Sequence, residues 1–284
     1  MSNIIKTYQV STIEQLNDLI QNQILGNLQF YAYSKHFRGQ ADIDFKLQTR
    51  IADKFKDSSL VQLKANQIFN SFRNGIIANQ LQSEFYIPEL NLGLYEKAYY
   101  VIFQAQHLGI PTPLMDWSSD WRNSLYFVIE NENLLHKSGQ LWVMLKPIIE
   151  EDNIYSLNPN FHEKPILINA SYDIEAKLEE FLGEKRRHNQ AGEFLILPHN
   201  NCIEPLDTNN AFEWPLMVIE ILPSLKQQVY ELREKEVNDD LIKLMRNLRL
   251  DFSKYNNEAI YGNMNDELKT VVSRTRQDFG FSPL

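Results

Sequence analysis

The segment His36-Phe37-Arg38-Gly39-Gln40 places one arginine between an aromatic residue and a glycine. A guanidinium offers a rigid fork of donors that matches phosphate or carboxylate, and a neighbouring glycine leaves room for a ligand to approach the backbone. The competing use of Arg38 is an ion pair with one of the 37 carboxylates in the chain. A second polar cluster lies between residues 105 and 131, where Gln106, His107, Thr112, Asp116, Trp117, Ser118, Ser119 and Asn123 are crowded among turn-forming Gly109, Pro111 and Pro113. Polar groups at that density beside apolar anchors suit a pocket wall. His107 could act as an acid or base near neutral pH, or bond a carbonyl at the end of its helix. Asp116 could orient His107 or a ligand hydroxyl, or cap the helix that follows.

The third cluster is EKRRHNQAGEFLILP, residues 184–198. Lys185, Arg186, Arg187 and His188 form a local positive group in an acidic chain, and Gln190 and Glu193 flank Gly192 where a strand begins. Alternation along a strand sends Gln190 and Gly192 to one face and Glu193 to the other, so the two polar side chains share a ligand only if Gly192 makes a bulge. The competing reading is a solvated basic loop ahead of a buried strand.

Positioning these residues falls to a mixture of elements. Ser11 to Glu14 has the form of a capping box, and Ile13, Leu16, Leu19 and Ile20 give the first helix an apolar stripe, predicted to pack at an edge. Aromatic residues from Leu28 to Phe37 predict a strand that delivers Arg38 at its end, with GQADIDF as a turn. Helices are predicted over residues 58–83 and 95–108, the second closed by Gly109. The LMDWSSD stretch after the prolines reads as a loop, followed by a helix through WRNSLYFVIENENLL. GQLWVMLKP, GEFLILP and WPLMVIEILP read as strands, and PSLKQQVYELREKEV and NDDLIKLMRNLRL as helices. Trp117, Trp121, Tyr126 and Phe127 fit a core, although one aromatic could stack on a flat ring.

With 284 residues, 43% of them hydrophobic, the chain can bury a substantial core. Its net charge of −9, without long like-charge blocks, argues against broad binding to nucleic acid or anionic lipid. The single cysteine, Cys202, excludes an intramolecular disulfide and a cysteine-based zinc site, and reads better as a small buried hydrophobe than as a nucleophile. No HExxH set, phosphate-binding glycine loop or GxSxG elbow occurs, so no metal is expected and metalloprotease, P-loop and lipase readings drop out. The polar start of the sequence and its short apolar runs lead to the expectation of a cytoplasmic protein with no membrane span.

Taken together the motifs resemble the FRG domain family. Phe37-Arg38-Gly39-Gln40 matches the motif that gives the family its name. Ala105-Gln106-His107-Leu108-Gly109-Ile110-Pro111-Thr112-Pro113-Leu114-Met115-Asp116-Trp117 resembles its AQHxGxPTxLLDW block, with Ser118 and Ser119 before the helical Ser124-Leu125-Tyr126-Phe127-Val128. Gln190-Ala191-Gly192-Glu193-Phe194 resembles its QxGxF block, and IEILPSLKQQVYEL its isoleucine–proline block with a trailing lysine. The chain departs from the family where Leu47-Gln48-Thr49-Arg50 replaces a leucine–proline–serine stretch, and where Pro113 replaces an arginine.

The motif order is in turn similar to that of arginine-class ADP-ribosyltransferases. The order of elements reads as one α+β domain with helical embellishments at both ends, and that resemblance implies an ADP-ribosyltransferase-like split sheet with helices packed around it. The FRG resemblance implies a single FRG domain over 1–284, with a core of about 10–250 and a helical extension of about 224–284. The implied activity is ADP-ribosyl transfer or NAD glycohydrolysis, with NAD as substrate, in a bacterial toxin or phage-defence effector. The alternative is a non-catalytic module that binds a nucleotide or another anionic ligand and signals through the C-terminal helices. A protein target or partner is compatible with either reading.

The residues expected to carry chemistry are His107, Asp116, Gln190 and Glu193. Those expected to bind ligand are Arg38, Gly39, Gln40, Gln106, Thr112, Trp117, Ser118, Ser119 and Arg187. If Gln190 holds the catalytic place it brings no negative charge, and the carboxylate must come from Glu193, Glu184 or Asp116.

Overall fold

A computed structural model describes residues 3–79, 102–103, 105–106, 108–148, 165–169, 192–197, 202–234 and 266–283. Seven strands form one mixed sheet: β1 (Ile4–Val10), β2 (Tyr33–Gln40), β3 (Leu114–Ser118), β4 (Gly139–Pro147), β5 (Ile166–Asn169), β6 (Gly192–Ile196) and β7 (Leu216–Ile221). Their order is β1-β7-β4-β2-β3-β6-β5, with β1 and β7 parallel and the other neighbours antiparallel. The helices that pack on it are α1 (Ile13–Asp18, continued by a π-helical turn over Leu19–Leu25), α2 (Arg50–Lys54), α3 (Ser58–Ala78), α4 (Trp121–Ile129), α5 (Pro223–Glu234) and α6 (Asp266–Asp278). The fold class is therefore α+β, as expected. No described helix is long and apolar enough to cross a membrane.

Side-chain alternation explains why the central strands are continuously apolar. Leu141, Val143 and Leu145 of β4, with Met217, Ile219 and Ile221 of β7, pack against α1, α4 and α5. Trp142 and Met144, with Leu216 and Val218, pack on the opposite face against α2, α3 and α6. A strand covered on both faces has no solvated side to leave polar, and the runs LWVML and LMVIEI follow from that. Each large apolar side chain so buried contributes about 1.5–3 kcal/mol.

The seven strands join through a narrow contact in the middle of the sheet. β2 pairs with β4 along its whole length, from Tyr33↔Pro147 to Gln40↔Gln140, but with β3 only at Phe37↔Ser118. β3 pairs fully with β6, from Leu114↔Ile196 to Ser118↔Gly192, and this register has no bulge at Gly192.

Several local expectations change. The LMDWSSD stretch holds strand β3, where turn-forming residues predict a loop; its alternating Met115 and Trp117 are fixed by pairing with β6, a partner about eighty residues away. β2 begins at Tyr33, because Asn27 caps a 3₁₀ turn at Leu28–Phe30 by accepting from the Gln29 N–H. Arg38 consequently lies inside β2, with Gly39 and Gln40 still paired to β4. The first helix is capped by Thr12, one residue later than the Ser11 expectation; Thr12 accepts from the Gln15 N–H, and Gln15 in turn accepts from the Ser11 N–H. That helix also belongs to the core, with Ile13 and Leu16 fully buried, not at an edge. The edge strand β1 and the strand β5 were not anticipated. The NDDLIKLMRNLRL segment, read above as a helix, lies outside the described residues.

Candidate functional site

The strand β2 carries two unlike rows. Phe37 is buried against α4, and Gly39 points the same way: a Cβ there would lie 1.8 Å from the Ser124 carbonyl oxygen and 3.0 Å from Val128 Cγ2. The expected role of Gly39, room for a ligand, is thus taken by the backbone of α4. Ser34, His36, Arg38 and Gln40 alternate onto the other face, where their register partners include Met144 and Trp142. Gln40 is held within the protein, its amide donating to the Lys46 carbonyl at 2.9 Å and accepting from the Trp142 indole at 2.8 Å.

Arg38 is only partly engaged. Nη1 donates to the backbone carbonyl of Asp116 at 2.5 Å and stands 3.8 Å from that residue's carboxylate. Its Nε is buried with no hydrogen-bond partner among the described residues, a state that costs about 1–3 kcal/mol when left unfilled. Burial lowers the Arg38 pKa, and the neighbouring Arg50 pushes the same way, while Asp116 and Asp53 oppose. A guanidinium remains charged under such pressure, so the arrangement leaves a desolvated cation whose buried Nε–H meets no acceptor among the described residues.

The second block converges on the same place. A left-handed Gly109, at φ 78, ends the preceding helix: its N–H bonds the Gln106 carbonyl at 2.9 Å and the Ile110 N–H bonds the Ala105 carbonyl at 2.9 Å. Beyond that turn Thr112 donates to Gln106 Oε1 at 2.5 Å and accepts from the Leu114 N–H at 3.1 Å. Gln106 Nε2 then donates to the Asp116 carboxylate at 2.8 Å. Arg38, Asp116, Gln106 and Thr112 therefore form one connected network, with the Asp116 side chain 52% exposed.

Other expected residues are placed differently. Ser118 is buried, accepting from the Asp120 N–H at 3.0 Å and from Asn123 Nδ2 at 3.3 Å, so its hydroxyl helps build the start of α4. Ser119 is exposed. Trp117 is a core residue whose indole N–H has no partner among the described residues. His107, Arg187 and Gln190 lie outside the described residues, as does Glu184. Cys202 is buried and its thiol is pushed up to about 11 by burial, which disfavours the nucleophilic thiolate. Among the described residues no group of three or more His, Cys, Asp or Glu could hold a metal ion.

His36 escaped the motif reading, and it meets Glu193, one of the residues expected to carry chemistry. His36 and Glu193 are 6% and 4% exposed, and Nδ1 of His36 bonds Oε2 of Glu193. On the other side of the ring, Nε2 lies 2.7 Å from the Ser34 hydroxyl. Glu193 reaches this position because Trp117↔Glu193 and the regular β6 register turn it to the face of Leu195 and Trp117, the face that also bears Arg38. The signal available in the sequence was the period-two row Ser34-x-His36-x-Arg38-x-Gln40 along β2.

The family model of the FRG domain matches residues 34–137, which hold β2, α2, α3, β3 and α4. The chain therefore contains an FRG domain, and Arg38 with the Gln106–Thr112–Asp116 network lies within it, while Glu193 lies beyond. No curated protein and no solved structure matches the chain.

Proposed function

We propose that the chain binds a phosphate-bearing nucleotide through Arg38 and acts on NAD, transferring ADP-ribose to a target or releasing nicotinamide by hydrolysis. The observation that carries this reading is the buried Nε of Arg38, without a partner among the described residues, on the same sheet face as the Glu193 carboxylate. The sheet that narrows to one pairing between β2 and β3 supports an ADP-ribosyltransferase-like split sheet. Arg38 would grip the pyrophosphate, and Asp116, Gln106 and Thr112 would hold the guanidinium in place. Cleavage breaks the bond between ribose C1′ and nicotinamide; its electron pair leaves with the base and positive charge builds on the ribose. A carboxylate beside that charge stabilises the transition state. Water or a target nucleophile then bonds C1′ and releases a proton. A cytoplasmic toxin or phage-defence effector is the role this chemistry suits.

The burial of Glu193 against His36 favours a second reading, a non-catalytic module that binds a nucleotide or other anion. Incubating the purified protein with NAD and measuring free nicotinamide separates the two. Release that Arg38→Ala abolishes is the expected result. Absence of release, with NAD still bound by wild type and not by Arg38→Ala in calorimetry, leaves only the binding module.

A further inference from the structure

We infer that His36 sets the charge that Glu193 presents to the site and is a positioning residue for it; the functional consequence rests on the reading of Glu193 as the ribose-facing carboxylate. The ring bonds Glu193 Oε2 through Nδ1, and the Ser34 hydroxyl lies 2.7 Å from Nε2. The same hydroxyl is 3.2 Å from the carbonyl oxygen of Lys146. Two proton counts leave this line fully bonded. With His36 neutral, Nδ1–H donates to Glu193 and Nε2 accepts from Ser34, so the pair carries one negative charge. When one solvent proton bonds Nε2, the ring donates at both nitrogens, Ser34 oxygen becomes the acceptor, and its hydrogen turns to the Lys146 carbonyl. The pair is then neutral overall, and no group has lost a partner.

A buried histidine whose accepting nitrogen faces a fixed donor is left with an unsatisfied polar atom once it is protonated. The second acceptor open to Ser34 removes that obstacle. Among the described residues the charged groups on the surrounding elements are Arg38 on the same strand, Lys146 on β4 opposite Ser34, Asp116 on β3, and Arg50 and Asp53 on α2, which act on Arg38. Glu193 stabilises a ribosyl cation only when the pair keeps its negative charge. Nicotinamide release therefore rises with pH as the imidazolium loses its proton.

The ring nitrogens of His36 in the ¹⁵N-labelled full chain, followed by NMR across pH, test the inference without any activity. At alkaline pH Nδ1 is expected to hold the proton and Nε2 to be bare, with Nε2 protonated on acidification. Glu193→Gln is expected to weaken proton uptake, because it removes the carboxylate that the ring faces. A bare Nδ1 at alkaline pH, or uptake unchanged in a folded Glu193→Gln protein, overturns it; if that variant does not fold, the wild-type tautomer decides. In the activity assay, wild-type release is expected to fall about tenfold per pH unit on the acid side. His36→Asn, which keeps a donor near the Nδ1 position but takes up no proton, is expected to lose that limb, and a persisting limb counts against the inference. Should wild type release no nicotinamide at any pH, the NAD reading fails while the NMR result still decides whether His36 sets the charge of Glu193.

Discussion

The two faces of β2 obey opposite rules within eight residues. On one, Phe37 is fully enclosed and Gly39 lies so close to α4 that no side chain fits. On the other, Arg38 keeps a buried donor without a partner among the described residues, and His36 bonds a carboxylate 157 residues away in sequence. The first face is optimised for packing; the second holds polar groups in a state that folding alone does not favour. An aromatic, an arginine and a glycine in a row thus divide between two tasks, and only the arginine belongs to the site.

Substitutions can break that contrast from the packed side first. Gly39→Val places atoms inside the Ser124 carbonyl and is expected to cost more than about 3 kcal/mol, read as a lowered midpoint in urea unfolding. A smaller loss is expected at Lys226, which is fully buried and donates to the carbonyls of Ala41 and Leu134, each at 2.6 Å. That side chain ties α5 to the segments after β2 and α4. Lys226→Met leaves both carbonyls without that donor, and a loss of about 2–5 kcal/mol is expected in urea unfolding.

Burial also lowers the Lys226 pKa to about 8 from 10.5, with Asp42 opposing the shift. The unfolded chain then binds the proton more strongly than the native one. Stability from this group is expected to rise as pH increases from about 8 towards 10.5, and Lys226→Met to lose that part of the slope when urea midpoints are compared at the two ends.

On the polar face the expected change in stability is smallest and the change in binding largest. Arg38→Met removes a desolvated charge and an unfilled donor while keeping bulk. The melting temperature is expected to hold or rise by a few degrees, about 1 kcal/mol at most, while nucleotide binding is lost. A melting point that drops sharply would assign Arg38 to structure and erase the difference between the two faces.

The clearest strands in the sequence were those buried on both sides. LWVML and LMVIEI need no partner to be recognised, because an apolar run bounded by turn residues has few other uses. β3 was illegible for the opposite reason: Asp116 and the serines carry turn chemistry, and β6 outweighs them only once it is alongside. Within the site, Arg38, Gln106, Thr112 and Asp116 were legible as types at meaningful spacings, and the structure joins them in one network. His36 and Ser34 were passed over, since a lone histidine in an aromatic strand has no local sign of its partner.

The sequence by itself determined which side chains share a face of β2, because alternation is a property of the extended backbone. It determined Arg38 as an anion-matching group and Gly109 as a helix end, for the same local reasons. Tertiary structure alone decided that Gly39 admits α4 and not a ligand, that Ser118 builds a helix start, and that Glu193 meets His36. Those outcomes depend on register between strands and on the approach of a helix to a sheet, distances that no stretch of a few residues encodes.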